Sequence, residues 1–183
     1  MSKNTKIAIV IVAGLIVLFG VILTVLLLNN REDRALYTDE KIRIRTSQEV
    51  LGEYNLDELL QMSPETEFDA IYKPNNMPPI EKTYTGIYLL DLLDSLNIDI
   101  ESVQSIKFKA MDGYEMIYSI EDILIEDNVY IAYLSEGQPF AEGIESNPYP
   151  DEDGGPFVVI RAKDQTSQYR VKLLVEITVE LED

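Results

Sequence analysis

The hydrophobic pattern divides the chain into an apolar N-terminal run and a longer part in which apolar and polar residues alternate. Residues 7–28 contain no charged side chain and are interrupted only by two glycines and one threonine. A helix rises 1.5 Å per residue and a bilayer core is about 30 Å thick, so about 20 apolar residues can cross it. The pattern predicts one transmembrane helix over residues 7–28, preceded by a tail at residues 1–6.

A cleavable signal peptide is the alternative interpretation of this run. Its apolar region is normally about 7–15 residues long and is followed by a small-residue cleavage site. Here the run is longer and ends in leucines and asparagines, and the chain has no cysteine that could carry a lipid. We therefore expect an uncleaved signal anchor. The short N-terminal tail favours a single-pass protein of the cell membrane with an extracytoplasmic domain, although the flanking basic residues give only a weak bias.

The alternating part predicts a polar linker over residues 29–39 and one domain over residues 40–183. About six strands and three short helices are expected, with Asn55 and Ser119 as helix N-caps. The predicted strands are residues 41–46, 67–73, 103–110, 129–134, 156–162 and 169–181. A turn at Asp112-Gly113 predicts a hairpin with residues 114–118, and a further helix is expected over residues 87–96. This order indicates an α+β fold with a mixed or antiparallel sheet.

The charge of the domain argues against nucleic acid as a partner. The chain carries 15 Lys and Arg and 33 Asp and Glu, for a net charge of −18. Only Lys3 and Lys6 precede the apolar run, so the rest of the chain has 13 basic and 33 acidic residues, a net of −20. Such a surface repels phosphate backbones. The acidity either maintains solubility or meets a cationic protein partner.

The chemistry available to the chain is limited because it contains neither cysteine nor histidine. Disulfides, thiolate nucleophiles, Cys/His zinc sites, haem ligation by these residues and a Ser-His-Asp triad are excluded. No Rossmann or phosphate-loop glycine pattern is present. Acidic residues between positions 142 and 153 supply the oxygen ligands that calcium prefers, but without EF-hand spacing, so a solvated loop is the favoured interpretation.

Four stretches resemble the molybdopterin-binding domain of the sulfite oxidase family. They are residues 84–93 (YTGIYLLDLL), 108–114 (FKAMDGY), 131–139 (IAYLSEGQP), and 155–160 followed by 171–177 (GPFVVI and VKLLVEI). Together they lie within residues 41–181, in the order and spacing of that family. The resemblance implies a mixed-sheet molybdopterin-domain-like fold, with molybdopterin as the expected cofactor and oxidoreductase chemistry.

The same resemblance identifies four candidate cofactor-binding residues: Arg161, Lys172, Asp112 and Tyr114. Arg161 and Lys172 would be the contacts to an anionic pterin. Each also has a structural alternative, because Asp112 begins a turn and Lys172 lies in an apolar strand from which it faces either a pocket or water.

The sequence also departs from the family. The resemblance implies a metal-ligating cysteine on the segment before the YTG stretch, but residues 71–79 contain none, so molybdenum ligation by cysteine is excluded. The family arginine that follows Gly155-Pro156 is replaced by Val158. We therefore expect a non-catalytic ligand-binding or accessory module for a small molecule or a protein. A molybdopterin-dependent oxidoreductase without a cysteine ligand is the alternative, and a purely structural interaction protein is a third hypothesis.

Overall fold

The computed structural model describes residues 3–73, 78–140 and 154–182, and within the first helix the side chains of residues 11–25, 28 and 31–38. The helices are α1 (Lys3–Thr38), α2 (Leu56–Met62), α3 (Leu89–Ser95) and α4 (Ile120–Ile123), with a 3₁₀ turn at Ile100–Ser102. The strands are β1 (Ile42–Thr46), β2 (Val50–Tyr54), β3 (Glu65–Tyr72), β4 (Ile80–Tyr88), β5 (Val103–Ala110), β6 (Glu115–Ser119), β7 (Val129–Ser135), β8 (Gln138–Pro139), β9 (Val158–Arg161) and β10 (Leu174–Leu181).

The strands form two mixed or antiparallel sheets, which makes the fold α+β. The first sheet has the order β2-β1-β10-β5-β6, and the second has the order β3-β4-β7-β8, with β9 also paired to β7. β1 and β10 are parallel, while the other described pairs are antiparallel. The main hydrophobic core includes residues of both sheets and of α2 and α3, among them Ile44, Phe108, Ile131 and Leu92.

Local signals in the sequence explain several of these elements. Asn55 caps α2 through a capping box: its side chain accepts from the Glu58 N–H, and the Glu58 carboxylate accepts from the Asn55 N–H. Ser119 caps α4 in a similar way. The predicted hairpin is confirmed, because β5 and β6 pair across the turn that contains Asp112 and Gly113.

β4 differs most from the expectation. No strand was predicted over residues 80–88 and a helix was predicted from residue 87, but the chain is extended to Tyr88. β2 was not predicted either. β4 lies between β3 and β7, and four consecutive residues from Tyr84 to Ile87 are buried. A strand covered on both faces shows no period-two alternation, so the pattern resembled the first turn of an apolar helix.

The C-terminal part of α1 packs on the first sheet. Asp33 and Leu36 are buried, and the Asp33 carboxylate lies 2.6 Å from the ammonium group of Lys109 on β5. Glu32 approaches Arg43 on β1 at 3.5 Å. A polar linker was predicted over residues 29–39. Residues 29–38 are instead the end of α1, and these contacts attach it to the domain.

The transmembrane helix predicted over residues 7–28 does not find support in the structure. Among the residues that the structure describes, no helix is both long enough and apolar enough to cross a membrane.

Candidate functional site

The outer face of the second sheet carries a second, smaller hydrophobic cluster rich in aromatic rings. Successive residues of a strand point to opposite faces, and the register pairs Phe68 of β3 with Tyr84 of β4. The Phe68 ring stacks on Tyr130 with centroids 4.0 Å apart, and Tyr84 lies between Phe68 at 5.8 Å and Phe140 at 6.2 Å. We call Phe68, Tyr72, Tyr84, Tyr130 and Phe140 the aromatic face.

Arg170 lies over the aromatic face and binds it through both hydrogen bonds and ring contacts. Its Nη1 donates to the Tyr84 hydroxyl at 2.8 Å, and its Nη2 donates to the Ile71 carbonyl at 2.9 Å. The guanidinium carbon lies 4.7 Å from the Tyr84 ring centroid and 5.6 Å from that of Tyr72. A cation over an aromatic ring is attracted by the ring quadrupole, so these contacts hold the guanidinium without a carboxylate.

The charge of Arg170 is consequently not neutralised by an ion pair within the described part of the chain, where its closest partners are neutral oxygens and rings. A second cation lies nearby, because Lys82 Nζ is 5.0 Å from the Tyr72 ring centroid. The aromatic face thus combines flat apolar surface with positive charge. Such a surface can bind an anionic ligand that has a planar group.

Arg161, a predicted cofactor contact, lies in a different environment. Its Nη2 lies 3.0 Å from an oxygen of Asp122 and 3.0 Å from an oxygen of Asp164. The guanidinium carbon also lies 5.3 Å from the ring centroids of Tyr118 and Tyr169. Two carboxylates therefore occupy the Nη1 and Nη2 donors that would otherwise meet an anionic cofactor, while Nε is buried and has no hydrogen-bond partner among the described residues.

The groups around Arg161 have shifted proton affinities. Burial raises the pKa of the Asp164 carboxyl, and the positive charge of Arg161 opposes that shift. Burial also raises the pKa of Tyr118, whose hydroxyl donates to the Tyr169 carbonyl at 2.5 Å. These are the properties of a half-buried structural ion pair.

Lys172 lies away from Arg161. Val159 and Val171 exchange backbone hydrogen bonds of 2.9 and 3.2 Å in an antiparallel bridge. In this register Lys172 lies opposite Val158, and Arg161 is three residues further along the same strand. At 3.3 Å per residue, Arg161 and Lys172 are about 10 Å apart along the strand direction. A Cβ at Gly154 would lie 2.9 Å from the Lys172 side chain and 3.0 Å from that of Val158. Lys172 therefore stands next to the position of the missing family arginine.

Asp112 and Tyr114 form the exposed turn between β5 and β6. The Asp112 carboxylate accepts from the Tyr114 N–H at 2.9 Å, and Gly113 between them has φ of +88°. The turn is joined to Lys172's neighbour, because the Met111 N–H donates to the Leu173 carbonyl at 2.9 Å. The four predicted residues thus lie in separate places, and only the turn and the Lys172 segment adjoin.

Two predicted features fall wholly or partly outside the described residues. The acidic loop proposed as a calcium alternative lies at residues 141–153, and the central part of the segment 71–79 lies at residues 74–77. Within the ranges that the structure describes, no group of three or more potential metal ligands is found.

Sequence reasoning missed Arg170, Tyr72 and Tyr84 as site residues. Their common signal is alternation: Val171 is fully buried in the main core, so Arg170 and Lys172 point to the opposite side of the segment. The alternation places Arg170 on the same side as Lys172. Only the three-dimensional structure shows that β3 and β4, which are far from Arg170 in the chain, bring Tyr72 and Tyr84 next to its side chain.

A cavity of about 490 Å³ lies at another edge of the second sheet, next to the end of α1. Its buried wall includes Tyr133, Phe140 and Phe157, and its rim includes the exposed residues Thr38 and Glu40. The Tyr133 hydroxyl donates to the Glu65 carboxylate, and burial followed by this hydrogen bond raises the pKa of Tyr133. Gly155 and Pro156, which begin the fourth stretch of the family resemblance, line this cavity.

Comparison with solved structures finds a likeness in fold. The chain is similar to the crystal structure of the sulfane dehydrogenase SoxCD from Paracoccus pantotrophus, with a TM-score of 0.59 and 14% sequence identity. The similarity covers 79% of this chain but only 39% of that one. No family model and no curated protein matches the sequence. At this identity the likeness shows the fold alone, and it agrees with the molybdopterin-related fold implied by the four stretches.

Proposed function

We propose that this chain is a non-catalytic ligand-binding or accessory module built on a molybdenum-enzyme fold. The observation that carries the proposal is the position of Arg170. Its guanidinium binds the carbonyl of Ile71 and lies over Tyr72, at the start of the segment where the family resemblance implies a metal-ligating cysteine. The chain has no cysteine to bind molybdenum there, while a fixed cation and aromatic rings remain.

The ligand that this site fits is an anion with a planar group. Arg170 uses two of its five N–H donors on described partners, and it has no ion pair with the described carboxylates. The domain as a whole is strongly acidic, so a highly charged ligand such as a polyphosphate is disfavoured. A small, weakly anionic molecule agrees best with both facts.

Cofactor content provides the test. The full chain, produced in a host that makes molybdenum cofactor and kept in mild detergent, is examined by elemental analysis and native mass spectrometry. A molybdenum enzyme of the same fold, produced in the same host, serves as the positive control. We expect no stoichiometric molybdenum or pterin in this chain, and one molybdenum per chain would overturn the non-catalytic assignment.

The alternative is a molybdopterin-dependent oxidoreductase without a cysteine ligand. It is favoured by one observation, the uncompensated charge of Arg170 close to Tyr72 and Tyr84, which an anionic pterin would satisfy. If the chain does contain pterin, Arg170→Met should remove it and Lys163→Met, an exposed cation on the same segment, should not.

Attachment to the cell membrane through residues 7–28, with the domain outside, is part of the proposal. It rests on the uncharged run in the sequence and on the described large apolar side chains of α1 between residues 11 and 28, which are 44% to 67% exposed. A helix that is apolar all round requires burial in lipid or in protein. We expect the chain to resist alkaline extraction from membranes and its domain to be cleaved by protease added outside intact cells; release by alkali would contradict this.

A further inference from the structure

The cavity beside the end of α1 has the composition of a small-molecule site. Ligand pockets typically enclose about 300–1,000 Å³ and are lined mainly by apolar and aromatic groups with a few polar ones. This cavity encloses about 490 Å³, and Tyr133, Phe140 and Phe157 form an aromatic wall that is almost fully buried.

The cavity is distinct from the Arg170 site. Its lining comes from α1, α2, the end of β7 and the segment around Pro156, and it includes neither Arg170 nor Lys172. Phe140 is shared, because its ring also stacks on Tyr84 of the aromatic face. The described lining contains no basic residue.

The charges around the cavity are negative. Glu40 lies on the rim, and the Tyr133 hydroxyl is bonded to the carboxylate of Glu65. An anionic ligand would be repelled by Glu40 on the rim, by Glu65 behind the Tyr133 hydroxyl, and by the net charge of −18 of the chain. A neutral or cationic molecule would not incur that repulsion.

The entrance is built by the last turn of α1. Thr38, Glu40 and Pro139 are the exposed residues of the described lining. Leu36 and the Asp33–Lys109 pair hold this turn against the first sheet. The opening therefore has walls fixed by packing, which lowers the entropy cost of closing around a ligand.

We propose that this cavity binds a neutral or cationic apolar small molecule of one or two rings. This proposal goes beyond the function of the Arg170 site and stands if that function fails. Its two claims are that an apolar molecule enters the cavity and that an added negative charge excludes it.

A matched pair of probes tests both claims. N-phenylnaphthylamine is neutral, and anilinonaphthalene sulfonate has nearly the same aromatic body with one negative charge. The chain contains no tryptophan, so Tyr54→Trp, two residues before the lining residue Leu56, supplies a single energy donor. The full chain is titrated in nonionic detergent, and the unsubstituted chain is the blank for probe dissolved in micelles.

We expect saturable energy transfer to the neutral probe. The sulfonate should bind with an affinity at least about tenfold lower, the ratio that 1.4 kcal/mol of repulsion gives. Thr38→Phe, made in the Tyr54→Trp chain, fills the mouth and should abolish the saturable signal. Pro139→Phe, at another exposed residue of the lining, repeats the test if Thr38→Phe does not fold. Glu40→Gln should strengthen binding of the sulfonate and leave the neutral probe unchanged.

Two results would overturn the inference. Neutral-probe binding that is absent, or that survives both mouth-filling variants with an unchanged circular dichroism spectrum, would show that the cavity is not the site. Equal affinity for the two probes, with no response to Glu40→Gln, would remove the selection against anions.

Discussion

Arg161 and Arg170 are nine residues apart in the chain, and their guanidinium groups lie in contrasting surroundings. Arg161 is held by Asp122 and Asp164 at 3.0 Å, so its positive charge is more than balanced locally. Arg170 is held by a hydroxyl, a carbonyl and two tyrosine rings, none of which carries a charge at neutral pH.

The difference separates a cation that is paired with carboxylates from the one that we propose binds an anion. A guanidinium whose donors face carboxylates has little to offer an anionic ligand, because the ligand must displace those carboxylates or be repelled by them. A guanidinium positioned by neutral groups keeps its field directed at whatever approaches. The sequence pattern favoured Arg161, and the geometry favours Arg170.

The largest effect is expected from Arg161→Met, which leaves Asp122 and Asp164 unpaired and close together. Removing one partner of a fully buried ion pair costs about 3–5 kcal/mol, and partial exposure of this cluster should reduce the loss in free energy of unfolding to about 2–3 kcal/mol. Urea unfolding of the full chain in mild detergent at pH 7, followed by circular dichroism, measures it.

The pH dependence of that loss identifies its cause. Burial raises the pKa of Asp164 above its ordinary 3.8, and Arg161 opposes the rise. Because the pKa of Asp164 is higher in the folded state than in the unfolded state, the carboxyl stabilises the fold at a pH below its unfolded pKa. That stabilisation is lost as the pH rises through the folded pKa. Without Arg161 the pKa rises further, so the deficit of Arg161→Met should shrink between pH 7 and pH 4. An Asp164→Asn change should restore part of it at pH 7; a deficit independent of both would refute the charge explanation.

Arg170→Met should give the next largest effect and a different pH profile. Two charge-assisted hydrogen bonds and the ring contacts are lost, which is expected to cost about 1.5–3 kcal/mol. The hydroxyl, the carbonyl and the rings that hold Arg170 are uncharged, so the deficit should depend on pH less than that of Arg161→Met. The remaining dependence comes from Asp164, whose pKa the charge of Arg170 also lowers. Lys163→Met is the matched control and should stay within about 0.5 kcal/mol of wild type. If the two arginine variants show the same pH dependence, the contrast between the two sites is wrong.

Tyr84→Phe isolates the hydrogen bond that positions Arg170. The ring and its stacking on Phe68 and Phe140 remain, and only the hydroxyl that accepts from Nη1 is removed. A loss of about 1 kcal/mol is expected. Tyr114→Phe, at an exposed turn, provides the comparison and should change the unfolding midpoint little. Equal effects of the two substitutions would show that the Tyr84 hydroxyl does not hold Arg170.

The local parts of the fold were predictable because short-range chemistry determines them. The Asn55 capping box, the Asp112-Gly113 turn and the alternation in β5 are all visible within a few residues of sequence. β4 was not predictable in this way. Its apolar run from Tyr84 pairs at its two edges with β3 and β7, and its faces are buried by the main core at Ile87 and by the smaller cluster at Tyr84. Because β7 lies more than 40 residues further along the chain, tertiary pairing decides between strand and helix.

The candidate site was less predictable for the same reason. The choice of Arg161 rested on its place after Gly155-Pro156, but its partner Asp122 lies 39 residues earlier in the chain. Only Asp164, three residues after Arg161, is a neighbour in the sequence. Arg170 was missed because Tyr84 lies 86 residues before it and Tyr72 lies further away still. A cation's role depends on its neighbours in space, and sequence alone does not supply them.

The smallest effect is expected at the other predicted pair of site residues. Asp112→Asn removes the charge but keeps an oxygen that can accept from the Tyr114 N–H, so the turn should persist. Because the side chain is exposed, the free energy of unfolding should change by less than about 0.5 kcal/mol. Binding of an anionic planar ligand at Arg170 should also be unaffected, as measured by calorimetry beside Arg170→Met. A clear change in ligand affinity from Asp112→Asn would show that the turn takes part in binding. It would also weaken the distinction between Arg161, the predicted contact, and Arg170, the proposed one.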